Sequence, residues 1–89
     1  MLSQNIEIIN KLGLHARAAA KLVNLASGFQ ATVELEKDGK RVNGKSIMSV
    51  MMLAASQGTT LKLHVEGSDE REALDEIVTL VNERFGEGE

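Results

Sequence analysis

From Asn5 to Ile9 apolar and polar residues alternate, with Ile6 and Ile8 set among Asn5 and Glu7, and this two-residue period predicts a strand. Asn10-Lys11-Leu12-Gly13-Leu14 breaks the period as a glycine-containing loop. From Ala16 to Leu25 the spacing turns helical. Ala18, Ala19, Leu22, Leu25 and Ala26 share one stripe, Arg17, Lys21 and Asn24 lie opposite, and Gly28 supplies a stop. Ala31 to Glu36 alternates again, with Val33 and Leu35 inward, and Asp38-Gly39 suits a tight hairpin turn into a short edge strand, Arg41-Val42-Asn43. Ser46 is a good N-cap for a helix from Ile47 to about Ser56, with Val50, Leu53 and Ala54 facing the sheet and Gly58 ending it. Thr59 to Glu66 is the clearest strand, Leu61, Leu63 and Val65 alternating with Lys62, His64 and Glu66. The last helix starts near Ser68 or Asp69, its acidic first turn suited to the positive end of the helix dipole. Ala73, Leu74, Ile77, Val78, Val81 and Phe85 form its core stripe, Gly86 closes it, and the tail through Glu89 is expected to fray.

The order β-α-β-β-α-β-α, with strands that each carry one wet face, predicts an α+β open-faced sandwich. A mostly antiparallel sheet would be covered by helices on one side only. The 89 residues make one small domain at roughly 100–200 residues per domain. A chain this short has little room for a deep internal site, which favours a surface site.

Composition removes several kinds of chemistry. There is no cysteine, so disulfides, thiol catalysis and thiolate metal sites are out, and two histidines are too few for a protein-only zinc site without several carboxylates. A net charge of -3 and two aromatic residues, Phe29 and Phe85, speak against nucleic acid as a partner. No apolar run approaches the roughly 20 residues that span a membrane, and the N-terminus does not read as a secretory signal, so a soluble cytoplasmic monomer without cofactor is expected.

His15 is the residue that asks for an explanation. It stands at the N-cap of an alanine-rich helix, where unpaired amides point outward and partial positive charge disfavours the imidazolium. A phosphate on that ring would meet donors already aimed at it, and Arg17 adds a cation whose fork suits phosphate oxygens. The plainer possibility is a polar cap beside a surface cation, although histidine is a poor cap. His64, on the outer face of its strand, is expected to be solvated. The helix after Ser46 holds too many apolar residues for one buried stripe. Ile47, Met48 and Met51 either dock partners, as flexible methionines can, or belong to a more fully buried helix. Capping alone accounts for Ser46, but a phosphate there would place a charge of about -1.5 to -2 beside that surface.

Gly13-Leu14-His15-Ala16-Arg17-Ala18-Ala19-Ala20 closely resembles the active-site motif of the HPr family, the histidine-containing phosphocarriers of the bacterial phosphoenolpyruvate:sugar phosphotransferase system. Lys45-Ser46-Ile47-Met48-Ser49-Val50-Met51 is similar to the family's regulatory serine segment. The resemblance runs from Ile6 to about Phe85. It implies a four-stranded antiparallel sheet with three helices on one face. It also implies a phosphocarrier and not an enzyme, phosphorylated at His15 Nδ1 by enzyme I and discharged to an enzyme IIA domain, with Arg17 steadying the phosphate. Ile47, Met48 and Met51, with Ala16, Ala20 and Lys21, would form the partner surface. Ser46 would be the target of an HPr kinase/phosphorylase, with transcriptional regulators as further partners. Ala18 stands where the family usually has proline, which would stiffen the first helical turn. Ile9-Asn10-Lys11-Leu12-Gly13 also resembles the nitrogen-related branch of the system. Two other classes compete: an acylphosphatase-like hydrolase using Arg17, for which no second polar group is evident, and a regulatory interaction module, which would be expected to lack His15.

Overall fold

The computed structural model describes residues 1–88. Its elements are β1 (Leu2–Glu7), α1 (Ala16–Ser27), β2 (Thr32–Lys37), β3 (Lys40–Asn43), α2 (Ile47–Met51), β4 (Thr60–Glu66) and α3 (Glu70–Asn82), followed by one 3₁₀ turn, Arg84–Gly86. The four strands form an antiparallel sheet in the order β1-β4-β2-β3, which leaves β3 at an edge as its length and polarity foretell. Ile6 stands opposite Leu61, and Leu35 is flanked by Leu63 and Val42. Ile6, Val33, Leu35, Leu61, Leu63 and Val65 are buried under the helices, which present Ala18, Ala19, Leu22, Val23, Ala26, Val50, Ala73, Leu74, Ile77 and Val81. Lys62, Glu66 and Arg41 stay on the uncovered side. The result is the open-faced sandwich.

The departures from the sequence pattern have local causes. β1 begins earlier than the alternation suggests, because Leu2 and Ser3 pair with Val65 and His64. Past β1, Ile8 stays buried and keeps pairing: its amide donates to Thr59 O at 2.9 Å and its carbonyl accepts from Gly58 N at 2.7 Å. The helix expected to run from Ile47 to Ser56 is only Ile47–Met51. Leu53 and Ala55 must both enter the core, and Ala55 O must accept the Leu14 amide at 2.8 Å, so the chain unwinds there. Ala54 turns outward into the left-handed region (φ 52), correcting its expected core position, and Gly58 lies in a later turn. On α1 the buried stripe takes Val23, and Leu25 is only partly covered.

Asp69 precedes α3 but does not bond the helix with its side chain. Its carboxylate reaches across to the chain entering β2 at the same end of the sheet, accepting from Gln30 N at 2.9 Å and Ala31 N at 2.8 Å. The fraying expected of the tail is overturned for its described part; Glu89 lies outside the described residues. Phe85 is wholly buried, and Glu87 folds back over the start of α1. His64 is also corrected: its ring sits on the outer face but is only 11% exposed and bonds Glu36 at 2.8 Å.

Candidate functional site

Two backbone decisions place His15. Gly13 adopts φ +70, and a Cβ there would stand 2.7 Å from Ala55 O and 2.9 Å from Ser56 Cα, so only glycine lets the loop lie this close to its neighbour. Leu14 then buries its side chain, and His15 emerges as an extended N-cap (φ -76, ψ 179) whose carbonyl accepts the Ala19 amide at 2.8 Å. The ring is 29% exposed, covered on one edge and open on the other.

The two ring nitrogens have different partners. Nδ1 accepts the Arg17 amide at 3.3 Å, a long capping bond. Nε2 meets the Glu87 carboxylate. An N–H donor on one side and a carboxylate acceptor on the other assign the proton to Nε2 and the lone pair to Nδ1. The ring therefore offers its basic nitrogen to the helix N-terminus, where the first amides lack intrahelical partners. The Arg17 guanidinium is exposed and, among the described residues, has no ion pair or hydrogen bond of its own. Lys11, Leu12, His15, Ala16, Arg17, Glu87 and Gly88 border an open hollow of about 590 Å³ over the ring. Among the described residues no cluster of three metal-ligating side chains exists. No helix is long and apolar enough to cross a membrane. The chemistry on offer is nucleophilic, at Nδ1, with cation and amides positioned for an anion.

The family model described as "PTS HPr component phosphorylation site" matches residues 2–83. The chain belongs to the HPr family. The phosphocarrier protein HPr of Neisseria meningitidis is 56% identical over 89 residues, covering 100% of both chains. The crystal structure of HPr-C-His from Thermoanaerobacter tengcongensis has TM-score 0.97 and 50% identity, covering 100% of both chains. An HPr dimer from the same organism has TM-score 0.79 and 52% identity, covering 98% of this chain and 100% of that one. The match places the chain among the HPr phosphocarriers of the phosphotransferase system.

In this HPr-family site the remaining sequence-marked residues distribute as follows. Ala16 is exposed and Ala20 half-buried on the same helix end. Lys21 does not point freely at a partner: its ammonium caps Phe85 O at 2.7 Å. Ala18 is fully buried at the third helical position, where a proline's missing N–H would cost no helical bond. Ser46 caps α2, its Oγ accepting Ser49 N at 3.3 Å, and it is half-buried. Neighbouring Lys45 is tied to Phe29 O at 2.8 Å. Ile47, Met48 and Met51 are exposed, Met48 at 70%. Leu12 and Met52 are exposed large apolar residues too, and neither is among the partner residues that the resemblance implies. The surplus of apolar residues after Ser46 was the available signal for Met52. Glu87 was missed, and nothing in the periodicity marks it.

Proposed function

We propose that His15 carries the phosphoryl group of this HPr-family protein on Nδ1, taking it from phospho-enzyme I and delivering it to an enzyme IIA domain. The observation behind this is the division of the ring: Nε2 is engaged and Nδ1 bears its lone pair at the edge of an open hollow. The lone pair is restrained by a single long bond, which an in-line attack on phosphorus breaks at little cost. The Arg17 amide is then free to donate to a phosphate oxygen, and the Arg17 guanidinium stands beside it to balance charge. A half-exposed acceptor suits a stoichiometric carrier, because donor and recipient must reach the same phosphorus in turn. The carrier reading is preferred to an acylphosphatase-like enzyme because a nucleophilic ring nitrogen itself stands at the edge of the hollow that Arg17 borders.

Ile47, Met48, Met51, Ala16 and Ala20 form the partner surface in this reading, an exposed apolar patch next to the hollow, and such a patch with a charged rim fits a transient complex. Ser46 is the regulatory site, phosphorylated by an HPr kinase/phosphorylase. Its cap position tolerates added negative charge while setting that charge against the patch. The protein is read as a monomer, and sizing it beside the dimeric T. tengcongensis relative tests this. Which enzyme IIA discharges it decides between the sugar branch and the nitrogen-related branch.

The deciding experiment is incubation with phosphoenolpyruvate and enzyme I, followed by mass spectrometry under alkaline conditions. One acid-labile phosphate is expected on His15, lost in a folded His15→Ala variant. Label that survives in that variant refutes the assignment.

A further inference from the structure

Resting on the reading of the α2 surface as the partner surface, we propose that Met48, Met51 and Met52 form an oxidation site: a peroxide converts these thioethers to sulfoxides, which impedes docking and so slows phosphoryl transfer until the sulfoxides are reduced.

The chain gathers its oxidisable groups on one surface. It has no cysteine, tryptophan or tyrosine, and three of its four methionines stand at positions 48, 51 and 52. All three are exposed, Met48 at 70%, Met51 at 40% and Met52 at 64%. Among the described residues none of the three belongs to the hydrophobic core or packs at its fringe, whereas Val50 and Leu53 beside them do. The core therefore holds no sulfur, and an oxidant that reaches the patch leaves the packing intact. The fourth methionine, Met1, serves as an internal control. It is exposed too, but its ammonium pairs with Glu70 at 3.1 Å, and β1, about 20 Å of strand, separates it from the loop that carries His15.

The short helix α2 sets the three sulfurs where docking must cover them. Its backbone is closed: Ser49 N donates to Ser46 Oγ at 3.3 Å, Val50 N to Ser46 O at 3.0 Å and Met52 N to Met48 O at 3.0 Å. Val50 fills the inward side, and Met48 and Met51 join Ile47 on the side turned to solvent. A thioether there is soft apolar surface that adapts to a partner. A sulfoxide is polar, and its oxygen is a hydrogen-bond acceptor that water satisfies while the surface is free. Docking strips that water, and a partner face shaped for apolar contact leaves the oxygen unpaired.

The step is a two-electron oxygen transfer. A lone pair on Sδ forms a bond to one peroxide oxygen as the O–O bond breaks, and the other oxygen leaves with both electrons of that bond. The departing hydroxide collects the proton carried by the transferred oxygen, so each event yields one sulfoxide and one water. Sulfur is oxidised and the peroxide is reduced. The new sulfur centre is chiral, so return to the thioether takes methionine sulfoxide reductases of both epimer specificities. These draw on thiols, which become a disulfide as the oxygen departs as water.

The test treats the whole chain with hydrogen peroxide and follows the enzyme I reaction, each chain being compared with its own untreated sample. Peptide mass spectrometry of the treated wild type is expected to show one added oxygen at Met48, Met51 and Met52, and at Met1. Phosphoryl uptake should then fall roughly tenfold, with the loss in KM and not in kcat and the melting temperature kept, and the two reductases should restore it. A chain carrying Met48→Leu, Met51→Leu and Met52→Leu should show the same uptake before and after peroxide, although its Met1 is oxidised. A wild-type chain oxidised at all three positions yet within about twofold of its untreated rate overturns the proposal where Met48→Glu slows uptake. A leucine variant that loses uptake as the wild type does overturns it as well. Where neither the sulfoxides nor Met48→Glu alter uptake, the partner-surface reading has failed, and the proposal falls with it.

Discussion

At the scale of the residue, this site is made by small choices around one imidazole. Gly13 is the least replaceable: Gly13→Ala sets a Cβ against Ala55 O in a backbone region alanine rarely adopts. It is expected to cost about 1–3 kcal/mol in denaturant melts and to slow phosphoryl uptake, because the displaced loop carries His15 with it. Acidic residues give a second expectation. The Asp69 carboxyl is held below its usual range chiefly by the Gln30 amide, Glu70 by the Gly67 amide, and Glu87 by His15. A carboxyl depressed in the folded state adds stability above its unfolded range and surrenders it as the pH falls through its folded value. Stability should therefore decline as the pH drops below about 4, and Asp69→Asn should flatten that decline in pH-resolved melts. Residue-level chemistry was the most legible part of the sequence at His15 and Arg17, whose types and spacing carry the phosphate logic. It was illegible at Glu87 and Asp69, because each acts on a partner far away in the chain and no periodic pattern encodes such a reach.

At the scale of the element, the strands were easiest to foresee and α2 the hardest. Alternation in β4 reports a real two-sided environment, so Leu61, Leu63 and Val65 were readable as core. The apolar run after Ser46 looks like a long helix because Leu53 and Ala55 are apolar. They are apolar for the core, reached by unwinding, and the Ala55–Leu14 backbone bond that demands the unwinding is a tertiary contact. The true α2 has five residues and leans on its cap. Ser46→Ala should cost about 1 kcal/mol of stability, read by thermal or denaturant unfolding. Ser46→Asp should fold normally yet take phosphate from enzyme I roughly tenfold more slowly, since a charge at the rim chiefly alters association. A melting temperature that falls in step with the rate would count against this electrostatic account. Met48→Glu should likewise slow both uptake and delivery with no loss of stability, as the residue is 70% exposed and supports no core contact.

At the scale of the whole molecule, one sheet face is spent on burial, and the loops and helix starts at its margin carry the site. Leu63 lies at 0% exposure in the middle of that buried face, in the second of four strands. Leu63→Ala should cost about 2–5 kcal/mol, a large part of the stability of so small a domain. The fraction that remains folded should still accept phosphate, which separates scaffold from site when activity is normalised to folded protein. The order of elements and the single covered face followed from sequence because every strand had to hide one side. The back-folded tail did not, since it is held by a buried phenylalanine and a lysine whose functions only three dimensions reveal.

The uncovered side of the sheet has a practical use. Lys62 lies there, exposed, on a strand flanked by β1 and β2, with the sheet itself between it and the helices. A fluorophore or a surface tether attached at that lysine would leave the working end unobstructed, so the carrier could be immobilised and watched while it exchanges its cargo.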